Sequence, residues 1–185
     1  MKAIKQLGKN INLRLAEESD SQFIVDLRQQ KGKFLSLSSP SVNDQKEWIK
    51  KYKERERQGN EYYFIIESKS GEGFGVVRLY DFKVDSFCWG SWIIKNNSPS
   101  SFAIESAILV YEFGFDQLGF KQSHFDVRKG NKSVWNFHEK FGAIKTGEND
   151  IEYFYKINQD QFFNAKKKYK KFRMISKDIK AIIKI

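Results

Sequence analysis

VRKGNKSVWNFHEKFGA, residues Val127 to Ala143, decides the fold. It begins at the end of a strand, predicted over His124 to Arg128, and runs through Gly130 into a helix over Asn131 to Phe141 that Gly142 ends. At about 100° per residue, Val134, Trp135, Phe137 and Phe141 form one apolar face. His138 falls inside that arc, and Asn131 lies about 20° from it two turns below, so both point toward a sheet. A histidine so placed reads either as a buried, hydrogen-bonded core residue or as a group that works in a site.

Upstream, Ser101 to Leu118 is apolar around most of its circumference and ends at Gly119, which predicts a long helix buried against a sheet. Before it come three strands, Tyr62 to Glu67, Phe74 to Phe82 and Phe87 to Ile94, with turns at Ser70 to Gly73 and Val84 to Ser86. The N-terminal part reads as a strand over Ile11 to Leu15, then a helix capped by Ser19 or Asp20 with Phe23, Ile24 and Leu27 inward. A polar loop, Leu35 to Val42, leads to a second helix opened by Asn43 or Asp44, carrying Trp48, Ile49 and Tyr52 and stopped at Gly59. Downstream lie strands at Ile144 to Thr146 and Ile151 to Ile157. The order β-α-α-β-β-β-α-β-α-β-β predicts a mixed α/β (α+β) domain with a twisted sheet of about seven strands and helices on both faces.

The chain of 185 residues is one domain in length, and its 40% hydrophobic and 16% aromatic content fills a core, which excludes global disorder. The longest apolar run, Ala107 to Tyr111, is too short to span a bilayer, and the opening MKAIKQLGKN has no apolar segment behind its charges. A single cysteine, Cys88, closes no internal disulfide, so a cytoplasmic location is expected. Cys88 sits in an aromatic strand and reads as a core thiol. The net charge of +10 is uneven: residues 164–185 hold nine Lys/Arg against one acid, Asp178, so +8 belongs to that segment and the body is nearly balanced. Residues 1–163 therefore read as the domain and 164–185 as a basic tail. In the tail, Tyr169, Phe172, Ile175, Ile179 and Ile182 recur at helical spacing. Such a helix packs on its own domain or on a sister subunit in a homodimer, or holds an anionic membrane surface or nucleic acid. Phosphate-loop, dinucleotide, zinc-protease and nucleophile-elbow motifs are all missing, and no metal is expected.

From Phe87 to Gly142 the succession strand, loop, long buried helix, strand, Asn, helix and Lys-Phe-Gly resembles the GNAT superfamily of acetyl-CoA-dependent N-acetyltransferases, most clearly in VRKGNKSVWNFHEKFGA. INLRLAEESDSQFIVDLRQ, from Ile11, is similar to that family's first strand and helix, and the element order agrees over about residues 10–157. One departure stands out. The family's pyrophosphate loop, [QR]-x-x-G-x-[GA], falls here on SPSSFA, Ser98 to Ala103, where only Ala103 fits. The resemblance implies that backbone donors around Ser98, Ser100, Ser101, Phe102 and Ala103 hold the pyrophosphate of acetyl-CoA, with Lys95, Asn96 and Asn97 nearby. The other reading of those serines is a capped helix start with no ligand. The resemblance also implies that the thioester carbonyl meets backbone N–H groups of Ile93, Ile94 and Lys95, and that an amine attacks it directly. Asn131 is implied to sit beside the cofactor arm. His138 stands where many members have a Tyr that protonates the departing thiolate, a role its near-neutral pKa suits. Asp81, Trp89 and His124 are candidate acceptor contacts, with Asp85 and Glu105 as further carboxylates; Trp89 and Trp92, three residues apart, alternate to opposite strand faces. The implied acceptor is a small-molecule amine such as an amino-sugar nucleotide, or a ribosomal-protein N-terminus. A reading of another class is a binding module whose basic tail grips nucleic acid or a partner.

Overall fold

Tyr62, Tyr63, Phe64, Ile65 and Ile66 are all buried, so the strand that carries them has covered surfaces on both sides. In this computed structural model, which describes residues 5–31 and 41–172, that strand (β3, Tyr62–Ser68) lies inside an eight-stranded sheet. The strands are β1 (Lys5–Leu7), β2 (Ile11–Leu15), β3, β4 (Gly73–Tyr80), β5 (Ser86–Ile94), β6 (Gln122–Arg128), β7 (Ile144–Glu148) and β8 (Glu152–Asn158), in spatial order β1-β2-β3-β4-β5-β6-β8-β7. All neighbours run antiparallel except β5 and β6, which are parallel. The helices are α1 (Ser21–Lys31), α2 (Val42–Arg57), α3 (Ser100–Glu112), α4 (Lys132–Lys140) and α5 (Gln159–Lys167).

The strand alternation divides the core in two. Ile24 and Leu27 of α1 and Ile49 and Tyr52 of α2 pack on Tyr63, Ile65 and Val76 from one face, while α3 buries Ala107, Ile108 and Val110 against Phe64, Val77 and Leu79 on the other. Tyr52 is fixed by accepting the Tyr63 N–H at 2.7 Å. Glu105, fully buried in α3, accepts the Asn10 N–H at 2.7 Å and the Asn10 side-chain amide at 2.8 Å, so its carboxylate holds the β1–β2 turn. That structural duty removes it from the candidate bases.

The architecture matches the expected one, with three differences. The extra strand β1 is a three-residue edge piece, too short to leave a periodic signal. The helix expected over Ser101 to Leu118 is α-helical only to Glu112 and widens into a π-helical turn, Phe113–Gln117, in which Gly114 lets Phe87 approach. Residue 164, the expected start of the tail, lies within α5, whose Phe162 and Ala165 are buried. Residues 35–40 of the expected loop and 173–185 of the tail lie outside the described residues.

Candidate active site

Parallel neighbours in a sheet share evenly spaced bonds along their length. β5 and β6 pair only at Ser86↔Gln122 and Phe87↔Ser123. Beyond Phe87 they diverge, and the opening is a cleft of about 630 Å³ walled by β5 from Trp89 to Ile94, by β6 from Phe125 to Arg128, and by Asn131, Val134 and His138 at α4.

A bulge shapes the β5 wall. On β4, Val76 and Arg78 pair with Ile93 and Gly90, so one residue, Val77, faces two, Ser91 and Trp92. Ser91 takes the left-handed conformation, φ 47°. The extra residue resets the alternation and brings Trp92 beside Trp89, with ring centroids 5.4 Å apart, where simple alternation placed them on opposite faces. Trp92 donates its indole N–H to Ser106 of α3 at 3.1 Å, which ties the bulge to that helix.

His138 is 4% exposed, with Phe125 at 4.2 Å, Trp89 at 5.1 Å and Phe137 at 5.6 Å between ring centroids. Its Nδ1 is buried without a hydrogen-bond partner. Burial among these rings lowers its pKa to about 3, because the charged form would lose its hydration. Burial therefore favours the neutral imidazole at His138, where an ordinary near-neutral pKa was expected.

At the other end of the cleft, α3 opens without a side-chain cap. Its N-cap is Pro99, and the Ser98 hydroxyl turns back to the Lys95 carbonyl at 2.7 Å. Phe102 directs its N–H to the Pro99 carbonyl at 2.9 Å, while the first-turn N–H groups of Ser100 and Ser101 have no intrahelical acceptor. The serines thus do not cap this helix. Ala103 lines the cleft; Ser98, Ser100, Ser101 and Phe102 lie at its end without lining it. Among Ile93, Ile94 and Lys95, Lys95 donates its N–H to the Phe74 carbonyl at 2.7 Å, and Ile93 faces the same strand opposite Val76. By alternation only the Ile94 N–H is directed toward β6. Asn131 lines the cleft as N-cap of α4, with no capping bond from its own side chain.

The structure separates the acceptor candidates. Trp89 lines the cleft, but Asp81 and His124 do not. His124 Nδ1 lies 2.5 Å from the Ser86 hydroxyl and its Nε2 lies 2.9 Å from Asp81, so the two hold the β4–β5 turn against β6. Cys88 is buried and its thiol is pushed up to about 12, chiefly by desolvation. Sequence reading missed Asp126, Arg128 and Glu152, which line the cleft together with Tyr80 from the sheet face opposite His138. The alternation in HFDVR, residues 124–128, carried that signal: Phe125 and Val127 turn inward, which sends Asp126 and Arg128 the other way. Among the described residues no group of His, Cys, Asp and Glu is placed to hold a metal ion, and no helix is long and apolar enough to cross a membrane.

The mixed sheet thus opens between its two parallel strands, with the uncapped start of α3 near the opening. The acetyltransferase (GNAT) domain family matches residues 10–144, and the chain belongs to that family as an acetyltransferase. Apo FdhC, described as a nucleotide-linked sugar GNAT, is 42% identical, covers 93% of this chain and 99% of its own, and superposes with a TM-score of 0.85. The SPbeta prophage-derived uncharacterized N-acetyltransferase YokL of Bacillus subtilis (strain 168) is 24% identical over 145 residues, which is 76% of this chain and 80% of that protein. The ribosomal-protein-S5-alanine acetyltransferase from Vibrio fischeri shares the fold, with a TM-score of 0.73 at 12% identity over 86% of this chain and 98% of its own.

Proposed function

We propose that this acetyltransferase moves the acetyl group of acetyl-CoA to a primary amine of a nucleotide-linked amino sugar. The cleft between β5 and β6 is the observation that carries the transfer: it runs from Ala103, near the start of an uncapped helix, to a buried imidazole with an unpartnered nitrogen. The residues present fit acetyl-CoA, which supplies the activated acyl group when bound. The first turn of α3, with Ser100 and Ser101 N–H groups and Ala103 beside them, suits a pyrophosphate by backbone donation and helix dipole. The Ile94 N–H is the donor for a thioester carbonyl. Neutral His138 donates a hydrogen bond to the departing sulfur, and Asn131 orients the cofactor arm at the mouth of α4. Most of the rate then comes from holding the amine against the carbonyl. The choice of a nucleotide-linked sugar rests on the 42% identity to FdhC over nearly all of both chains.

The test has two parts. Acetyl-CoA at a hundred times its dissociation constant should stabilise the protein by about 2.7 kcal/mol in a thermal-shift measurement. Release of free CoA should then accelerate with nucleotide-linked amino sugars well above the rate with an alanine-initiated peptide. No thermal shift refutes the cleft as the acetyl-CoA site. Preference for the peptide refutes the sugar acceptor and favours the protein N-terminal reading.

A further inference from the structure

The cleft has two chemically different sides. On the α3/α4 side it is aromatic, with Trp89, Phe125 and His138 in contact. On the other side β6 and β8 present charge. Asp126 pairs across with Phe154, and Arg128 with Glu152, so Asp126, Arg128 and Glu152 share one face of the sheet, with Asp126 and Glu152 diagonal neighbours. All three line the cleft.

Their lack of partners sets them apart. Elsewhere the carboxylates of the sheet are engaged: Glu61 by Arg55 and Arg78, Glu67 by Lys5 and Arg14, Asp81 by His124 and Lys83, and Glu148 by Lys129 and Lys145. Asp126, Arg128 and Glu152 have no side-chain hydrogen bond or ion pair among the described residues, although their strands place them within reach of one another. In a chain of net charge +10, Asp126 and Glu152 outweigh Arg128 by one charge, so this face of the cleft is locally acidic where the protein as a whole is positive. The unpartnered, buried His138 lines that same cleft from the opposite side and is an independent sign that it is built for a ligand.

We propose that Asp126, supported by Glu152, is the acceptor anchor: it takes up the ammonium of the incoming amine on the sheet face opposite His138. This rests on the acetyl-transfer reading above. Asp126 stands three residues beyond the last bonded pair of β6, at the throat of the opening. Extending the register from Phe87↔Ser123 brings Gly90 level with Asp126, and Tyr80 packs into the space a side chain at Gly90 would need, since an added Cβ would lie 3.0 Å from the Tyr80 hydroxyl. The bound ammonium loses a proton to the solvent that reaches exposed Asp126, and the free amine then attacks the carbonyl from one side of the sheet while the sulfur departs beside the imidazole on the other, the second amine proton following as the amide forms. The neighbouring Arg128 serves a hydroxyl or anionic group next to that amine. Neutral compounds of the same shape are discriminated against, because they leave the carboxylates without a counter-ion.

The experiment uses the full chain, acetyl-CoA, and a panel of primary amines comprising nucleotide-linked amino sugars, glucosamine and an alanine-initiated peptide. Hydroxyl analogues of the sugars serve as competitive inhibitors. Asp126→Asn should raise the KM of the preferred amine by about tenfold or more, the loss expected for one charge-assisted hydrogen bond, and leave kcat within about threefold. The Ki of the hydroxyl analogue and the acetyl-CoA Kd should stay within about threefold, because neither ligand carries the ammonium. Asp126→Glu should recover most of the loss. Asp150→Asn, which removes the same charge from the exposed β7–β8 turn, should change none of these. An unchanged amine KM in Asp126→Asn overturns the anchor, as does an equal weakening of amine and hydroxyl analogue. A wild-type protein that binds acetyl-CoA but acetylates no amine in the panel overturns the transfer reading itself, and the anchor with it.

Discussion

His138→Phe removes a buried titrating group while keeping a flat ring among Trp89, Phe125 and Phe137. The native imidazole titrates at about 3, against 6.5 for the unperturbed side chain. Between those values the unfolded chain binds a proton that the native chain refuses, so stability is fully present above about pH 6.5 and is lost as pH falls toward 3. For a single site the loss at pH 5.5 is RT ln(1 + 10), about 1.4 kcal/mol, and at pH 7.5 it is about 0.1 kcal/mol. A chain of this length shifts its Tm by roughly 2–4 °C per kcal/mol, so this histidine accounts for about 3–5 °C between the two pH values. Urea melts or calorimetry of wild type and His138→Phe at both pH values measure it. The wild type should lose about 1.3 kcal/mol more than the variant on acidification. The comparison is made within each protein, so a general cost of the substitution cancels. Parallel losses in the two proteins would refute a neutral, desolvated His138 and with it the role as neutral hydrogen-bond donor.

His138→Ala should lower kcat at least about tenfold, at the modest end of what a well-placed proton-handling or hydrogen-bonding group supplies, with a much smaller change in acetyl-CoA Kd; kcat should show no titration near pH 6.5 that disappears in this variant. Cys88, buried and with its thiol pushed up to about 12, should react with a thiol-specific disulfide reagent at pH 8 only after the protein is denatured. A chain ending at Phe172 should retain its melting temperature and acetyl-CoA affinity, whereas one ending at Phe163 should melt lower. The shorter chain loses the buried Ala165 and Lys166, the latter paired with Glu112.

Helices, central strands and their order were legible because each carries many residues of one period: α3 is apolar on nearly every side, and β3 is buried along its length. The helix α4 was legible for the same reason, down to the turn of Asn131 and His138 toward the cleft. What alternation could not foresee was the bulge at Ser91 and Trp92, because one inserted residue reverses every later assignment on the strand. That is why Trp89 and Trp92 meet against expectation. The state of His138 was also out of reach, since its proton affinity depends on rings contributed by β5, β6 and α4 together. Asp81 and His124 carried the right chemistry at plausible positions, yet they satisfy each other outside the cleft. Asp126 carried the same chemistry and went unnoticed because solvated carboxylates in strands are common. Only the absence of a partner, a property of the folded chain, distinguishes it.

The seam between β5 and β6 has a mechanical consequence. With ladder bonds at only two residue pairs, the two halves of the sheet can change their mutual angle without breaking a backbone hydrogen bond beyond Phe87. Across that gap the two halves meet through side chains, notably Trp92 on Phe137 and the rings around His138. An extended molecule laid along the seam takes the place of a ninth strand and splices two half-sheets into one. Tight binding and stiffening of the whole sheet are then one event, and amide exchange along Trp89 to Ile94 and Phe125 to Arg128 becomes a direct gauge of how completely the gap is bridged.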